Sequence, residues 1–275
     1  MMIGRGPRLD SWLRAMGFVD RLRLRERFAK ARMYCERQAI ASFGPHHEKP
    51  HGRLLCYHSV GQPDLGVNDC SPSRFRRHID LARQLGFRFV PAAQIASGIG
   101  TSRDLAITFD DGWKSVLTVA APLLNEYKIP STLFATTGLI ESSSAWHRPR
   151  MLDWEELGQL HQMGVEIGSH SVTHPDFGVI DKPRAVDELN RSREALKSRL
   201  GINPDCFAIP FGQSRNWSSV AHDAAGEAGY RFIYAQAENT RPPGTIPRTF
   251  VTWMDDDRIF TALLNGAFDN WEEWY

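Results

Sequence analysis

The sequence has few cysteines, almost no net charge and no long apolar run, and each of these features argues against one class of protein. Four cysteines are scattered over 275 residues without a CxxC pair, so we expect free thiols in a reducing compartment. The formal net charge of +1 lacks the basic excess of nucleic-acid-binding proteins, and we expect no nucleic-acid partner. No apolar run approaches a membrane span, and no apolar segment follows the basic N-terminus as in a secretory signal. These features predict a cytoplasmic location.

Two common kinds of active site are also absent from the sequence. Neither a G-x-G-x-x-G nor a G-x-x-x-x-G-K-[ST] loop occurs, so nucleotide binding lacks support. No G-x-S-x-G elbow occurs either, and a serine hydrolase of the α/β type therefore lacks support.

Charge is unevenly distributed along the chain. Residues 1–50 contain eleven Lys and Arg against five Asp and Glu, a formal charge of +6, which leaves −5 for the remainder. Residues 12–40 contain no proline and many helix formers, and we predict a basic helix there. Such a helix can lie on an anionic membrane surface, which makes peripheral membrane association one interpretation. We favour the other, a helix packed on the main domain, because its apolar face is not cleanly separated.

A linker of glycine, proline and histidine at residues 44–50 separates this segment from the rest. We therefore divide the chain into a basic helical extension with its linker, 1–50, and a main domain, 51–275. In the main domain, short apolar runs alternate with helical patterns about seven times, and the last predicted strand covers 248–251 after a loop at 236–247. Such alternation predicts a parallel sheet, either a barrel or a doubly wound sheet.

Two groups of polar residues follow predicted strands. Asp110 and Asp111 end the apolar run 105–109, and His170 and His174 come just after another strand. In a parallel α/β fold both groups lie on one face of the sheet. Two imidazoles and one carboxylate can bind a divalent ion that activates water, which leaves the second carboxylate free to act as a base. The pattern predicts hydrolysis of an amide or ester.

The same residues resemble the motifs of the polysaccharide deacetylase family, also called the NodB-homology domain or carbohydrate esterase family 4. Residues 108–112 match its TFDDG motif in full, and residues 170–174 match its H-[ST]-x-x-H motif in full. The resemblance spans roughly residues 53–251. It implies a distorted (β/α)7 barrel, here with an N-terminal helical extension.

The resemblance also implies roles for individual residues. Asp111, His170 and His174 would bind the metal, commonly zinc, with cobalt, manganese or nickel as alternatives. Asp110 would be the general base while water on the metal attacks the acetamide carbonyl. The backbone N–H of Phe211 would stabilise the oxyanion. The substrate and oxyanion residues expected from the resemblance are Tyr57, Pro210, Phe211 and Gly212.

The sequence departs from the family pattern at two positions. The third motif usually begins with an arginine that orients the base, but Ala208 stands there, and Arg248 is our candidate to supply the guanidinium instead. The C-terminal Leu-x-x-His motif, which supplies the general acid, is missing. His58 is the alternative acid, and water or Asp110 could also protonate the leaving amine.

These observations lead to one main hypothesis and two alternatives. The main hypothesis is a metal-dependent hydrolase that removes N-acetyl groups from an amino sugar in a polysaccharide, an oligosaccharide or a lipid-linked sugar. One alternative is a deformylase or esterase that acts on a related acylated sugar. The other is a non-catalytic glycan-binding module, which the missing arginine and histidine motivate and the intact Asp and His motifs oppose.

Overall fold

The computed structural model describes residues 18–140, 142–236 and 244–272, with the backbone alone for 18–27. The predicted first helix therefore begins outside the described residues, and its described part continues to Phe43. A π-helical turn, Val116–Ala120, leads into the fourth helix. The described helices are α1 (Phe18–Phe43), α2 (Pro72–Gln84), α3 (Ala92–Ala96), α4 (Ala121–Glu126), α5 (Trp154–Gln162), α6 (Lys182–Leu200), α7 (Ser219–Glu227) and α8 (Asp257–Leu264).

The described strands are β1 (Arg53–Tyr57), β2 (Ser59–Val60), β3 (Asp69–Cys70), β4 (Arg88–Phe89), β5 (Asp104–Phe109), β6 (Ser131–Ala135), β7 (Glu166–Ser169), β8 (Cys206–Ala208), β9 (Phe232–Ala235), β10 (Thr245–Pro247) and β11 (Thr249–Phe250). Nine of these described strands form one parallel sheet, and eight of them follow the order β10-β9-β8-β7-β6-β5-β1-β11. Strand β4 pairs with the start of β5, and β2 pairs with β3 apart from this sheet.

The sheet is nearly closed into a barrel because its two end strands are consecutive in the chain. Only Arg248 separates β10, which pairs with β9, from β11, which pairs with β1. The Arg248 N–H donates to the Ala235 carbonyl at 2.9 Å, and the Val251 N–H donates to Cys56 at 2.9 Å. The expected barrel is thus confirmed. The predicted loop 236–247 is corrected at its end, where the chain joins β9 as β10.

Apolar side chains fill the barrel from within and cover it from outside. Alternate residues of neighbouring strands face the interior, because successive side chains of a strand point to opposite faces. The interior cluster, on which Ala92 and Ile95 of α3 pack, consists of Leu54, Ala106, Phe134, Cys206, Ala208, Phe232 and Tyr234. The outer face of the strands packs on helices such as α2 and α8. With apolar residues filling the interior, the polar residues gather where the strands end.

The last turns of α1 pack on the barrel through a buried arginine. The Arg37 guanidinium donates to both carboxylate oxygens of Asp255, at 2.7 and 2.6 Å. The guanidinium also lies over the rings of Phe268 and Trp271, with its carbon 4.6 and 4.8 Å from their centroids. The helix is therefore part of the folded body at this end. Within the described ranges, no helix combines the length and apolarity that a membrane-crossing segment needs.

Candidate metal centre and active site

The candidate site lies where β1, β5 and β7 end. Strands β1 and β5 pair in parallel with Tyr57 opposite Phe109, so the next residues, His58 and Asp110, come side by side. His170 follows β7 directly. The carboxyl edge of the sheet thus brings together residues that are far apart in sequence, as parallel α/β folds do.

Backbone strain is concentrated at this edge. Among the described residues, five non-glycine residues have positive φ, and four of them belong to the site: Asp111, Ser171, His174 and Phe211. Such conformations cost of order 1–3 kcal/mol each and cluster where side chains must be aimed for function. The turns after β5, β7 and β8 therefore position side chains of the site and do more than reverse the chain direction.

Asp111, His170 and His174 converge with the geometry of a metal site. The Oδ1 atom of Asp111 lies 3.6 Å from Nε2 of His170 and 3.7 Å from Nε2 of His174. These separations are too long for hydrogen bonds. They match ligands around one ion, because a tetrahedral centre with bonds of about 2.1 Å separates its ligand atoms by about 3.4 Å. The three donors therefore fit a divalent ion such as zinc.

His170 is held in the form that a metal ligand needs. Its Nδ1–H donates to the backbone carbonyl of Ala208 at 2.8 Å, so Nε2 keeps its lone pair towards Asp111. Burial lowers the pKa of His170 to about 4, so the ring is neutral at pH 7. The backbone of β8 thus orients the His170 ring.

The turn that carries His174 is fixed by a residue that the sequence analysis missed. The buried carboxylate of Glu188, on α6, accepts hydrogen bonds from the backbone N–H groups of Val172 and Thr173 at 2.9 and 2.8 Å. The Ser171 hydroxyl accepts from the His174 N–H at 3.0 Å. In the sequence, Glu188 is an acidic residue among the apolar positions of a helical pattern. A carboxylate in such a position requires a buried partner, and this was the signal that could have identified it.

A second residue that was not predicted from the sequence contacts the Asp111–His170–His174 cluster itself. The indole N–H of Trp113 donates to Oδ2 of Asp111 at 2.9 Å. This hydrogen bond occupies the carboxylate oxygen that faces away from the two histidines and leaves Oδ1 for them. Trp113 directly follows the TFDDG motif, and this position was the sequence signal that it could contact the site.

Asp110 forms a buried ion pair with Arg248. The guanidinium donates to Oδ1 at 2.6 Å and to Oδ2 at 2.8 Å, and it also donates to the Thr108 hydroxyl at 3.1 Å. Burial would raise the pKa of Asp110, but the charge of Arg248, with a smaller effect of His170, holds that pKa well below its usual range. Asp110 is therefore a carboxylate at neutral pH. The guanidinium reaches Asp110 from the strand seam, which is the junction between β10 and β11 where Arg248 lies.

The remaining predicted residues divide into those at the site and those away from it. His58 is half-buried beside the carboxylates, and its ring packs edge-on against Phe250 at 5.3 Å. Phe211 is half-exposed, with its ring 4.6 Å from that of His174. Gly212 also lines the cavity, whereas Pro210 is buried and lies outside its lining.

Tyr57 does not reach the site, which corrects the expectation that it contacts substrate. Its hydroxyl lies 3.1 Å from Nδ1 of His78, and its ring packs edge-on against Phe75 in the outer core. The reason is the alternation of side chains along β1, which turns Cys56 inwards and Tyr57 outwards. His58, the next residue, faces the site again.

A cavity of about 680 Å³ opens over these residues. This volume lies within the range of sites for small molecules, about 300–1,000 Å³. Most of its polar lining was not predicted from the sequence and includes the side chains of Asn68, Asp176, Gln213, Arg215, Asn216 and Gln236. Four of these six carry carboxamides, which can both donate and accept hydrogen bonds with hydroxyl and amide groups.

Solved structures of deacetylases share this fold. IcaB from Ammonifex degensii superposes with a TM-score of 0.66 at 23% identity, covering 80% of this chain and 99% of that one. The Streptococcus pyogenes deacetylase PplD, solved in complex with acetate, superposes with a TM-score of 0.64 at 20% identity, covering 74% and 94%. The fold is thus that of the NodB-like barrels.

A family model and curated relatives match the part of the chain that carries the site. The polysaccharide deacetylase model matches residues 98–233, which include both motifs. The bifunctional xylanase/deacetylase of Pseudobutyrivibrio xylanivorans is 26% identical over 117 residues, 42% of this chain and 18% of that protein. The poly-beta-1,6-N-acetyl-D-glucosamine N-deacetylase of Staphylococcus aureus is 24% identical over 155 residues, 52% and 53% of the two chains. The chain thus resembles the polysaccharide deacetylase family over about half of its length, and it spans less than two thirds of these relatives' lengths.

Proposed function

We propose that the protein is a metal-dependent hydrolase that removes the N-acetyl group from an amino sugar of a glycan or lipid-linked sugar. The observation that carries this proposal is the Asp111–His170–His174 cluster, which shares a cavity with the ion-paired Asp110. The match to the polysaccharide deacetylase model and the similarity to proteins named for N-acetylglucosamine and chitin substrates support it.

The three clustered residues would hold the divalent ion, with zinc as the leading candidate and cobalt, manganese and nickel as alternatives. When bound, such an ion polarises the acyl carbonyl and makes water a better nucleophile at neutral pH. Trp113 and the carbonyl of Ala208 keep two of the ligands oriented towards it.

Asp110 would accept the proton of the attacking water. Its Oδ2 atom lies 4.0 Å from Nε2 of His170, so the carboxylate borders the point where the ligand atoms converge. Arg248 keeps Asp110 ionised and fixes the plane of its carboxylate through two hydrogen bonds. The base is therefore ready to accept a proton across the neutral pH range.

His58 would deliver a proton to the departing amine. It lies on the cavity beside Asp110, and its Nδ1 atom has no hydrogen-bond partner among the described residues. A proton donor that no protein group engages is free to turn towards the substrate nitrogen.

The outer part of the cavity would bind the sugar. The carboxamides of Asn68 and Gln236 offer donors and acceptors for sugar hydroxyl groups, and the half-exposed ring of Phe211 offers a surface for the apolar face of a pyranose.

Acetate release tests the proposal. The full-length protein and its Asp110→Asn variant would be assayed on N-acetylated sugars and glycans, with Asp187→Asn on the exposed side of α6 as a matched control. We expect acetate from at least one substrate, a loss of about 100-fold or more in Asp110→Asn, and no loss in Asp187→Asn. Release of formate, or of acetate from O-acetyl groups alone, would replace the N-deacetylase proposal with the deformylase or esterase alternative.

A further inference from the structure

A second cluster of metal-ligating side chains lies in the same cavity, next to the metal triad. It consists of the Cys56 thiol, the His58 imidazole and the Asp110 carboxylate, whose ligand atoms all lie within 4.8 Å of one another. None of these residues belongs to the Asp111–His170–His174 triad. The two clusters thus offer two separate sets of donors.

Strand geometry produces the second cluster. Cys56 and His58 are two residues apart and face the same side, because side chains alternate along an extended chain. Asp110 stands beside His58 across the parallel pairing of β1 with β5. The Cys56 thiol already donates to Oδ2 of Asp110, with the two atoms 3.3 Å apart. This separation is close to that of a sulfur and an oxygen bound to one zinc ion, about 3.5 Å for bonds of about 2.3 and 2.0 Å.

His58 can complete the set without losing a hydrogen bond. Its Nδ1 atom is buried and has no partner among the described residues, and its ring contacts Phe250 only by its edge. A ring that makes no hydrogen bond through Nδ1 can shift towards the sulfur and the carboxylate at little cost. Sulfur, imidazole and carboxylate together form a donor set that zinc and cobalt accept.

Arg248 determines which cluster binds an ion first. Its guanidinium already neutralises Asp110, whereas Asp111 contacts no arginine among the described residues and faces the Nε2 atoms of His170 and His174. The thiol of Cys56 is also buried, and it must release its proton to solvent when sulfur binds a metal. The triad is therefore the tighter site, and the second cluster fills only when the ion is in excess.

We propose that a second, weaker thiophilic cation binds Cys56, His58 and Asp110 and inhibits the enzyme by occupying its base. The binding part stands on the cluster alone. The inhibition part rests on the proposed deacetylase function, so each part needs its own measurement.

Cobalt titration tests the binding. The full-length protein with one equivalent of zinc would be titrated with Co²⁺ in a Cys35→Ser background, because Cys35 is exposed and could bind cobalt unspecifically. We expect a near-ultraviolet sulfur-to-cobalt charge-transfer band, since the triad itself contains no sulfur. The band should disappear in Cys56→Ser and in Cys56→Ala, and it should persist in the matched control Cys206→Ser. Absence of the band at saturation, or its persistence in both Cys56 variants, overturns the proposal.

Inhibition by zinc tests the consequence. Acetate release would be measured against added Zn²⁺, each protein being compared with its own rate at one equivalent. We expect the Cys56 variants to need at least 10-fold more zinc than the control for half-inhibition. Equal sensitivity overturns the inhibition part. If no substrate yields acetate, the deacetylase function fails while the cobalt band still decides whether the second site exists.

Discussion

Arg248 shows how one side chain can replace a missing motif residue. The family arginine is absent at Ala208, yet the Asp110 carboxylate still receives two hydrogen bonds from a guanidinium. Arg248 is also buried, and its guanidinium carbon lies 5.1 Å from the centroid of the Phe134 ring. The structure therefore fixes the orientation of Asp110 from the strand seam instead of from the third motif.

Removal of this guanidinium should impair turnover and shift its pH dependence. In Arg248→Ala we expect kcat to fall by about 100-fold, because the base loses its orientation. The pKa of Asp110 should rise, since burial remains while the opposing charge is gone. Protonation would then remove the base at a higher pH, so the acidic limb of the kcat/KM profile should move upwards.

Arg248→Lys is the matched control, since it retains the charge but loses the paired hydrogen bonds. Its acidic limb should stay near that of the wild type while kcat still falls. An unchanged pH profile and rate in Arg248→Ala would contradict the role of Arg248 as the residue that orients the base.

Sequence reasoning predicted some residues of the site and missed others for a physical reason. Asp110, Asp111, His170 and His174 lie in short motifs whose spacing can be read without a fold. Glu188 could not be assigned, because its partners are backbone N–H groups on a different element. Side chains that orient other side chains become visible only when the elements have been packed.

At the scale of elements, the strand seam carries the largest difference between expectation and structure. The sequence predicted one strand at 248–251, but the structure has β10 and β11 on different partners, with Arg248 between them. Pro247 weakened the strand pattern before Arg248, because proline is disfavoured within strands. Tertiary pairing with β9 overrode that local preference.

A buried histidine joins α2 to the chain just before α8. The Nε2–H of His78 donates to the Asp255 carbonyl at 2.7 Å, which leaves Nδ1 to accept from the Tyr57 hydroxyl at 3.1 Å. The imidazole also stacks on Phe260, with ring centroids 3.9 Å apart. Every polar atom of the ring is thus engaged in its neutral form.

Protonation of His78 should therefore destabilise the fold in acid. Burial lowers the pKa of His78 from 6.5 to about 4, so between these values the unfolded chain binds the proton and the folded chain does not. The free energy of unfolding should fall as the pH falls through this window, by about 1.4 kcal/mol per pH unit for this group. Urea unfolding at several pH values measures the slope.

Two variants separate the contribution of His78 to this pH dependence from those of the other histidines. His78→Gln should be less stable than wild type at pH 7 but should lose less stability on acidification. His170 also has a lowered pKa and remains in both proteins, so the difference between slopes belongs to His78. The exposed His161→Gln should keep the wild-type slope, and equal slopes in all three proteins would contradict the assignment.

At the scale of the whole molecule, α1 is an integral part of the fold at its carboxyl end. Arg37 and Asp255 are 218 residues apart, and both are fully buried. The sequence indicated a basic helix but could not distinguish this arginine from its exposed neighbours, because its partner is remote in the chain. Contact of the basic helix with a membrane surface, and the cytoplasmic location, stay predictions.

Loss of the Arg37 side chain should destabilise the whole domain. Arg37→Ala leaves the Asp255 carboxylate buried without its cation, which costs about 3–5 kcal/mol for pairs of this kind. Chemical denaturation should show this loss in a single transition, because helix and barrel share the pair. Cys35→Ala, on the exposed side of the same helix, is the control and should change stability by less than about 0.5 kcal/mol. A wild-type stability in Arg37→Ala would contradict the integration of α1.

The central claim is that Asp111, His170 and His174 hold a divalent ion required for deacetylation. The most direct measurement is acetate release by the full-length protein after metal removal and during stepwise return of zinc. We expect negligible release without metal and full recovery at about one ion per chain, with His174→Ala failing to recover and His161→Ala recovering fully. Undiminished acetate release by the metal-free protein would contradict the account.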